Sequence, residues 1–174
     1  QIGWRRRLAR VGAEILAHYQ NGTNAFPSTP YSQLVLARSP LLYYRLDEPA
    51  FTPGPLPVAL NLGGLGTNVN GLYQPGSTPG AAGVPFTGLG TTNRACRFIG
   101  LPGYVDLGTD PGLDIHGPLT VIAWIQCNPA IRRFECLLGK GDTSWRMALD
   151  EDGCPAFADG LDNLDVGGTF SVND

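Results

Sequence analysis

The sequence predicts an all-β fold, an antiparallel sandwich or barrel with one N-terminal helix. Glycine and proline are abundant, with 24 and 15 copies among 174 residues, a content typical of many short strands joined by turns. Short apolar segments recur through the chain, and Gly, Pro, Asn or Asp fills the gaps between them. Hydrophobic residues make up 43% of the chain, so a core is expected.

The helix is predicted over residues 4–20. Apolar residues recur there at steps of three and four positions and form one stripe, namely Leu8, Val11, Ile15 and Tyr19. Asn21-Gly22 is a suitable C-terminal stop for this helix. Residues 23–30 are rich in turn formers and are predicted to be a linker.

Strands are predicted along the rest of the chain. The first covers residues 41–48, and a long loop region with short strands at most follows from Pro49 to Gly90. The later strands are predicted at 95–100, 103–108, 119–127, 135–141, 144–153, 154–159 and 168–174. The segment LTVIAWIQC, residues 119–127, has one wholly apolar face and one mixed face, which predicts a central strand of the sandwich.

The charge distribution indicates neither a nucleic-acid partner nor a membrane span. The net charge is −3, and four of the 12 basic residues lie in the first ten positions, which leaves 8 basic against 15 acidic residues in the remainder. That remainder is too acidic for a nucleic-acid surface. No segment reaches the ~18 consecutive apolar residues that a bilayer-spanning helix needs, so no membrane insertion is expected.

Three stretches occur in an order that resembles a known family. They are VLARSPLLYYRLDEPA (35–50), RFIGLPGYVDLGTDPGLDIHGPLTVIAWIQ (97–126) and LLGKGDTSWRMALDEDG (137–153). Their order resembles the laminin-G-like, concanavalin A-like jelly-roll domains of bacterial extracellular proteins. The resemblance implies a jelly-roll β-sandwich over residues 31–174. AEILAHYQNG, residues 13–22, is similar to the closing helix of the same family, so residues 1–22 are expected to be the tail of a preceding repeat.

The family pattern continues with further strands beyond residue 174, so the sandwich is expected to lack its last strands. Three explanations are open. The missing strands belong to a longer protein, another chain supplies them by strand addition, or the helix at 4–20 docks onto the domain's own sheet.

Catalytic residues are not expected. Glycosidases of this fold place two carboxylates on one face of a strand, and the nearest group here is Asp150, Glu151 and Asp152. Neighbouring residues on a strand point to opposite faces, and Asp152 precedes a turn glycine. The chain has two histidines and no G-x-S-x-G motif, so no serine hydrolase site is expected either.

Calcium is the one cofactor that the resemblance implies. Related domains bind it through early acidic residues, and the candidates here are Asp47, Glu48 and Asn61. The alternative is that Asp47 and Glu48 cap the strand and contact Arg45 or another arginine.

Carbohydrate binding is implied by the same resemblance. Aromatic rings that stack on sugars, together with nearby amides, would form such a site. The candidates are Tyr73, Tyr104, Trp145, Asn68 and Asn70.

The four cysteines leave two readings open. Cys127 and Cys136 end one predicted strand and begin the next, so they are placed to face each other across a hairpin, and Cys96 and Cys154 would form the second disulfide. The alternative is four thiols that act as small apolar groups.

These expectations together predict a secreted or cell-surface, non-catalytic module for binding and adhesion, with carbohydrate recognition as one form of it. Its expected partners are glycans, extracellular proteins and further copies of itself. The alternative function is a structural subunit of a surface filament or sheath, completed by exchange of strands or helices between chains.

Overall fold

A computed structural model describes residues 2–51, 57–99, 102–115, 119–126, 135–141, 144–150, 153–159 and 166–167. The chain divides into two compact units, residues 1–120 and residues 121–174, and each is described by itself. The prediction that residues 1–22 are the tail of a preceding repeat stays a prediction.

Two helices begin the first unit. Helix α1 (Ile2–Thr23) confirms the predicted N-terminal helix, and α2 (Tyr31–Leu36) follows after a turn-rich segment. The carbonyl of Pro30 accepts hydrogen bonds from the backbone N–H groups of Gln33 and Leu34, which starts α2. Helix α1 packs against α2 and against a short 3-10 turn, Thr87–Leu89.

The described residues of the first unit also form five short strands: β1 (Val58–Ala59), β2 (Gly71–Tyr73), β3 (Ser77–Ala82), β4 (Arg94–Phe98) and β5 (Val105–Asp106). The strands β1, β2 and β5 form an antiparallel sheet in that order, and β3 and β4 form a separate antiparallel pair. The region that was predicted to be mainly loop therefore contains β1, β2 and β3. Its buried residues include Ala59, Val69 and Tyr73.

Four strands in the second unit form one antiparallel meander. They are β6 (Glu135–Gly139), β7 (Trp145–Leu149), β8 (Pro155–Asp159) and β9 (Val166–Gly167), and they pair in chain order. The buried side chains of this sheet include those of Ala148, Leu149, Ala156 and Ala158.

The predicted all-β jelly-roll sandwich is wrong. The described strands form small sheets of three, two and four strands beside one 22-residue helix, which is a small α+β arrangement. The physical reason lies in the glycine- and proline-rich middle of the chain. The strands β1, β2 and β5 are two or three residues long, and Pro75-Gly76 lies just after β2, so these strands are too short to build a broad sheet.

Two further strand predictions are wrong. Residues 41–48 contain only one isolated antiparallel bridge, between Tyr44 and Asn61, and Leu46 has a positive φ of 53°, which interrupts an extended strand. Within the part of the chain that the structure describes, no strand is assigned at residues 119–126. Cys127 and the predicted strand at 168–174 lie outside the described residues.

The predictions at 95–100, 103–108, 135–141, 144–153 and 154–159 each coincide with an observed strand, β4 to β8. Within the part of the chain that the structure describes, no helix is long and apolar enough to cross a membrane.

Candidate functional site

Asn61 is the centre of a hydrogen-bond network next to β1. Its side chain is buried, with an exposed fraction of 6%. The Oδ1 atom accepts hydrogen bonds from the backbone N–H groups of Tyr43 at 2.9 Å and Gly63 at 3.1 Å, and Nδ2 donates to the carbonyl of Gly66 at 3.0 Å. The backbone N–H of Asn61 donates to Oδ1 of Asn70 at 2.9 Å. One amide thus joins three segments of the chain.

The network fixes the extended segment at 40–44 against the loop that follows β1. The backbone N–H of Leu62 donates to the carbonyl of Tyr43 at 2.8 Å, and that of Leu65 donates to the carbonyl of Leu41 at 3.1 Å. Gly63 allows this approach, because a Cβ atom at that position would lie 2.5 Å from the Leu41 carbonyl oxygen. The hydroxyl of Tyr44 donates to the carbonyl of Val69.

Glu48 connects the same segment to the β1–β2–β5 sheet. Its Oε1 accepts a hydrogen bond from the backbone N–H of Leu60 at 3.0 Å, and its Oε2 accepts one from the hydroxyl of Tyr73 at 2.6 Å. Tyr73 is buried, and burial together with the bond to Glu48 raises its pKa above the ordinary tyrosine value. The tyrosine therefore stays a protonated donor to a carboxylate, which is a strong type of hydrogen bond.

The three predicted calcium ligands lie along this network, and each one has a protein partner. Asp47 Oδ2 lies 2.9 Å from Arg45 Nη2, which is the arginine contact named as the alternative. The oxygens of Glu48 and Asn61 accept hydrogen bonds from backbone and tyrosine donors. Calcium needs six to eight oxygens, and the described residues contain no group of three or more His, Cys, Asp or Glu that is placed to hold a metal ion. Calcium binding stays a prediction.

The predicted sugar-binding residues occupy different environments. Tyr73 is buried, and Asn70 uses its carbonyl oxygen within the network. Asn68 is exposed on the 3-10 turn Gly66–Val69, and Tyr104 is 52% exposed just before β5. Trp145 belongs to the second unit, where its ring stacks on Phe157 with centroids 6.3 Å apart. Carbohydrate binding also stays a prediction.

The sequence reasoning missed an exposed apolar face on the β1–β2–β5 sheet, which we call the outward face. Val58 pairs with Leu72 across β1 and β2, and Leu72 pairs with Asp106 across β2 and β5. Side chains alternate along each strand, so Leu60 and Tyr104 lie on the same side as these three residues. Leu72 is 56% exposed, and Val58 and Leu60 are exposed as well.

The opposite side of this sheet holds small or hydrogen-bonded residues. Ala59, Gly71 and Tyr73 are buried there, and a Cβ atom at Gly71 would collide with Val105. Val105, Leu107 and Tyr73 already occupy this inner side, whereas Val58 and Leu60 of the VALNL segment (58–62) are exposed. The alternation of residues in VALNL indicates a strand with two different faces. Its large apolar residues, however, suggest that the Val58 and Leu60 side is buried, whereas that side is exposed.

No disulfide is present among the described cysteines, Cys96, Cys136 and Cys154, so the Cys96–Cys154 bridge is not formed in this structure. Burial raises the pKa of the half-buried Cys96 thiol to about 11, which makes it a poor nucleophile at neutral pH. Cys127, and with it the predicted Cys127–Cys136 pair, lies outside the described residues.

Asp150 has a structural role in the turn between β7 and β8. Its Oδ1 accepts a hydrogen bond from the backbone N–H of Cys154 at 2.8 Å, and its own N–H donates to the carbonyl of Cys154 at 2.9 Å. Glu151 and Asp152 lie outside the described residues. Comparison of the chain with protein-family models, curated proteins and solved structures found no match.

Proposed function

We propose that this protein is a non-catalytic, extracellular module for binding and adhesion, and that it contacts its partner through the outward face. The observation that carries the proposal is the cluster of exposed apolar side chains at adjoining positions of one sheet, Val58, Leu60, Leu72 and Tyr104. Exposed apolar clusters of this kind mark interaction surfaces more often than single exposed leucines do. The extracellular location rests on the resemblance described above.

The chemistry of the outward face favours a protein partner over a glycan. A sugar site surrounds an aromatic ring with groups that bind hydroxyls. Beside Tyr104 the face instead carries aliphatic side chains, and its carboxylate, Asp106, already accepts a hydrogen bond from the backbone N–H of Gly108 at 2.9 Å. Aliphatic and aromatic residues in one strip are typical of the centre of a protein–protein interface.

The network beneath the sheet supports the proposal, because a fixed surface loses little conformational entropy on binding. Glu48 contacts Leu60, the residue after β1, and Tyr73 in β2, and Asn61 follows Leu60. The strands that carry the outward face are therefore attached to the segment at 40–48 as well as to each other.

The test compares Leu72→Lys with Leu16→Lys, a change at a similarly exposed leucine on α1. Binding of an apolar fluorescent dye to each variant measures how much the outward face and the α1 surface each contribute to apolar binding. We expect Leu72→Lys to lose most of the dye signal and Leu16→Lys to retain it. Equal signals from both variants would contradict the proposal. A glycan array probed with the same proteins distinguishes a protein partner from a glycan partner. A glycan signal that Leu72→Lys leaves intact would favour a sugar site away from the outward face.

A second candidate function is a structural subunit completed by strand exchange, and residues 119–126 favour it. This segment carries no charged side chain and exposes Leu119, Ile122 and Ile125. An extended apolar segment of this type adds readily to the edge of a sheet in another chain. Sedimentation across a concentration series would show association that Ile122→Lys abolishes. A monomer at all concentrations would exclude this function and leave the first one untouched.

A further inference from the structure

A buried histidine lies between the two helices of the first unit. His18, near the end of α1, is 6% exposed, and its Nδ1 atom lies 3.1 Å from the hydroxyl oxygen of Tyr31, the first residue of α2. The two rings meet edge to face, with centroids 5.5 Å apart. The histidine thus makes both a polar and an aromatic contact across the α1–α2 junction.

An ion pair stands beside this contact. Glu14 precedes His18 by one helical turn, and its Oε1 lies 3.5 Å from Nη2 of Arg38, which follows α2. Burial is the main cause that lowers the pKa of His18 below 6.5, the Arg38 guanidinium lowers it further, and the Glu14 carboxylate opposes both. The turn Thr87–Leu89, which also packs on α1, has no ionisable side chain, and Tyr19 meets Phe86 there edge to face.

Protonation changes what the imidazole ring can do at this junction. In the neutral ring, with its proton on Nε2, the Nδ1 atom accepts a hydrogen bond from the Tyr31 hydroxyl. After one proton is taken from solvent, both nitrogens are donors, so that bond has to reverse or break. The new positive charge would also be buried and close to Arg38.

We propose that the α1–α2 junction is an acid-sensitive latch, in which protonation of His18 separates the end of α1 from α2 while the sheets of the first unit stay folded. The proposal is independent of the outward face. It gives the protein a response to acidification below the ordinary histidine pKa of 6.5.

The experiment is an NMR pH titration of the whole chain with labelled histidine and labelled backbone amides. The chain has two histidines, so His116→Asn assigns the His18 signal. We expect a His18 midpoint below 6.5, with the Tyr31 ring and the amides of residues 14–36 shifting at the same midpoint and the amides of β2 and β3 unchanged. A midpoint at or above 6.5, or Tyr31 signals that do not follow His18, would overturn the latch.

Two charge variants and a control sharpen the test. Arg38→Gln removes a positive charge that disfavours protonated His18, so it should raise the midpoint of the His18 titration. Glu14→Gln removes a negative charge that favours protonated His18, so it should lower that midpoint. Arg45→Gln, which breaks the Arg45–Asp47 pair instead, should leave it in place. Shifts of the same direction in the two variants would contradict the geometry. His18→Phe keeps a ring without a proton to gain, so a pH-dependent Tyr31 shift that persists there would also overturn the proposal.

Discussion

In the second unit, β7 and β8 pair at five successive positions, from Trp145 with Asp159 to Leu149 with Pro155, so backbone hydrogen bonds hold the strands. In the first unit, β1 with β2 and β2 with β5 share two residue pairs each. Side chains complete the attachment there, chiefly Asn61 and Glu48. The sheet of short strands thus depends on a few polar side chains, whereas the β7–β8 pair distributes its stability along an uninterrupted ladder.

The largest effect is expected from Asn61→Ala. The change leaves the backbone N–H groups of Tyr43 and Gly63 without their acceptor in a buried place, which costs about 2–4 kcal/mol of unfolding free energy. Urea denaturation measures this loss. Asn68→Ala, at an exposed amide nearby, is the matched control and should change the free energy by less than about 0.5 kcal/mol. Similar losses of unfolding free energy in both variants would show that the hydrogen bonds of Asn61 do not stabilise the fold more than an exposed amide does.

Gly63→Ala should have the next largest effect. Its Cβ would lie 2.5 Å from the Leu41 carbonyl oxygen, a backbone atom that cannot turn aside, so we expect a loss of about 1–3 kcal/mol. Gly12→Ala in α1 is the control, because nothing lies within 4 Å of its added Cβ, and helix propensity should stabilise it by about 0.5–1 kcal/mol. Thermal melts of both variants give opposite shifts if the close contact at Gly63 is real.

Phe157→Ala in the second unit should cost about 1 kcal/mol, since it removes the stacked contact with Trp145 from a ring that is otherwise exposed. The five β7–β8 pairs remain, so hydrogen exchange of the β7 amides should stay slow. Fast exchange throughout β7 would show that the meander depends on one side-chain contact, as the first unit depends on Asn61.

The smallest expected effect concerns alkaline pH. Burial raises the pKa of Tyr44 to about 12 from an ordinary value of 10.0. A folded-state pKa above the unfolded value means that its stabilisation is complete below pH 10 and is lost as the pH rises from 10 towards 12. Tyr44→Phe should make the unfolding free energy, measured by urea titration on both sides of pH 10, less dependent on pH. An unchanged dependence of the unfolding free energy on pH would show that Tyr44 does not cause that dependence.

The comparison also explains which parts the sequence could predict. The strands β6, β7 and β8 follow from short apolar segments with turn residues between them, because neighbouring strands in a meander pair locally. Residues 119–127 have an equally strong pattern, yet no strand is assigned over the described part of that segment, 119–126.

The sequence predicts Asn61 and Glu48 as calcium ligands, which stays a prediction, and in the structure both side chains accept hydrogen bonds from the protein itself. The residue types show which atoms accept hydrogen bonds, but only the folded chain shows that the N–H groups of Tyr43, Leu60 and Gly63 reach them. The outward face was missed for a related reason. Only the folded chain shows that Ala59 of VALNL lies on the buried side, next to Gly71 of the neighbouring strand.

The central claim is that the outward face is an uncovered surface of a sheet held in place from behind. The most direct measurement is the relaxation of leucine and valine methyl groups in the presence of a soluble paramagnetic agent. We predict strong enhancement at Val58, Leu60 and Leu72, similar to that at Leu16, and almost none at the fully buried Val69. Methyl groups on the outward face that are as protected as Val69 would show that the face is already covered, and would contradict the proposed function.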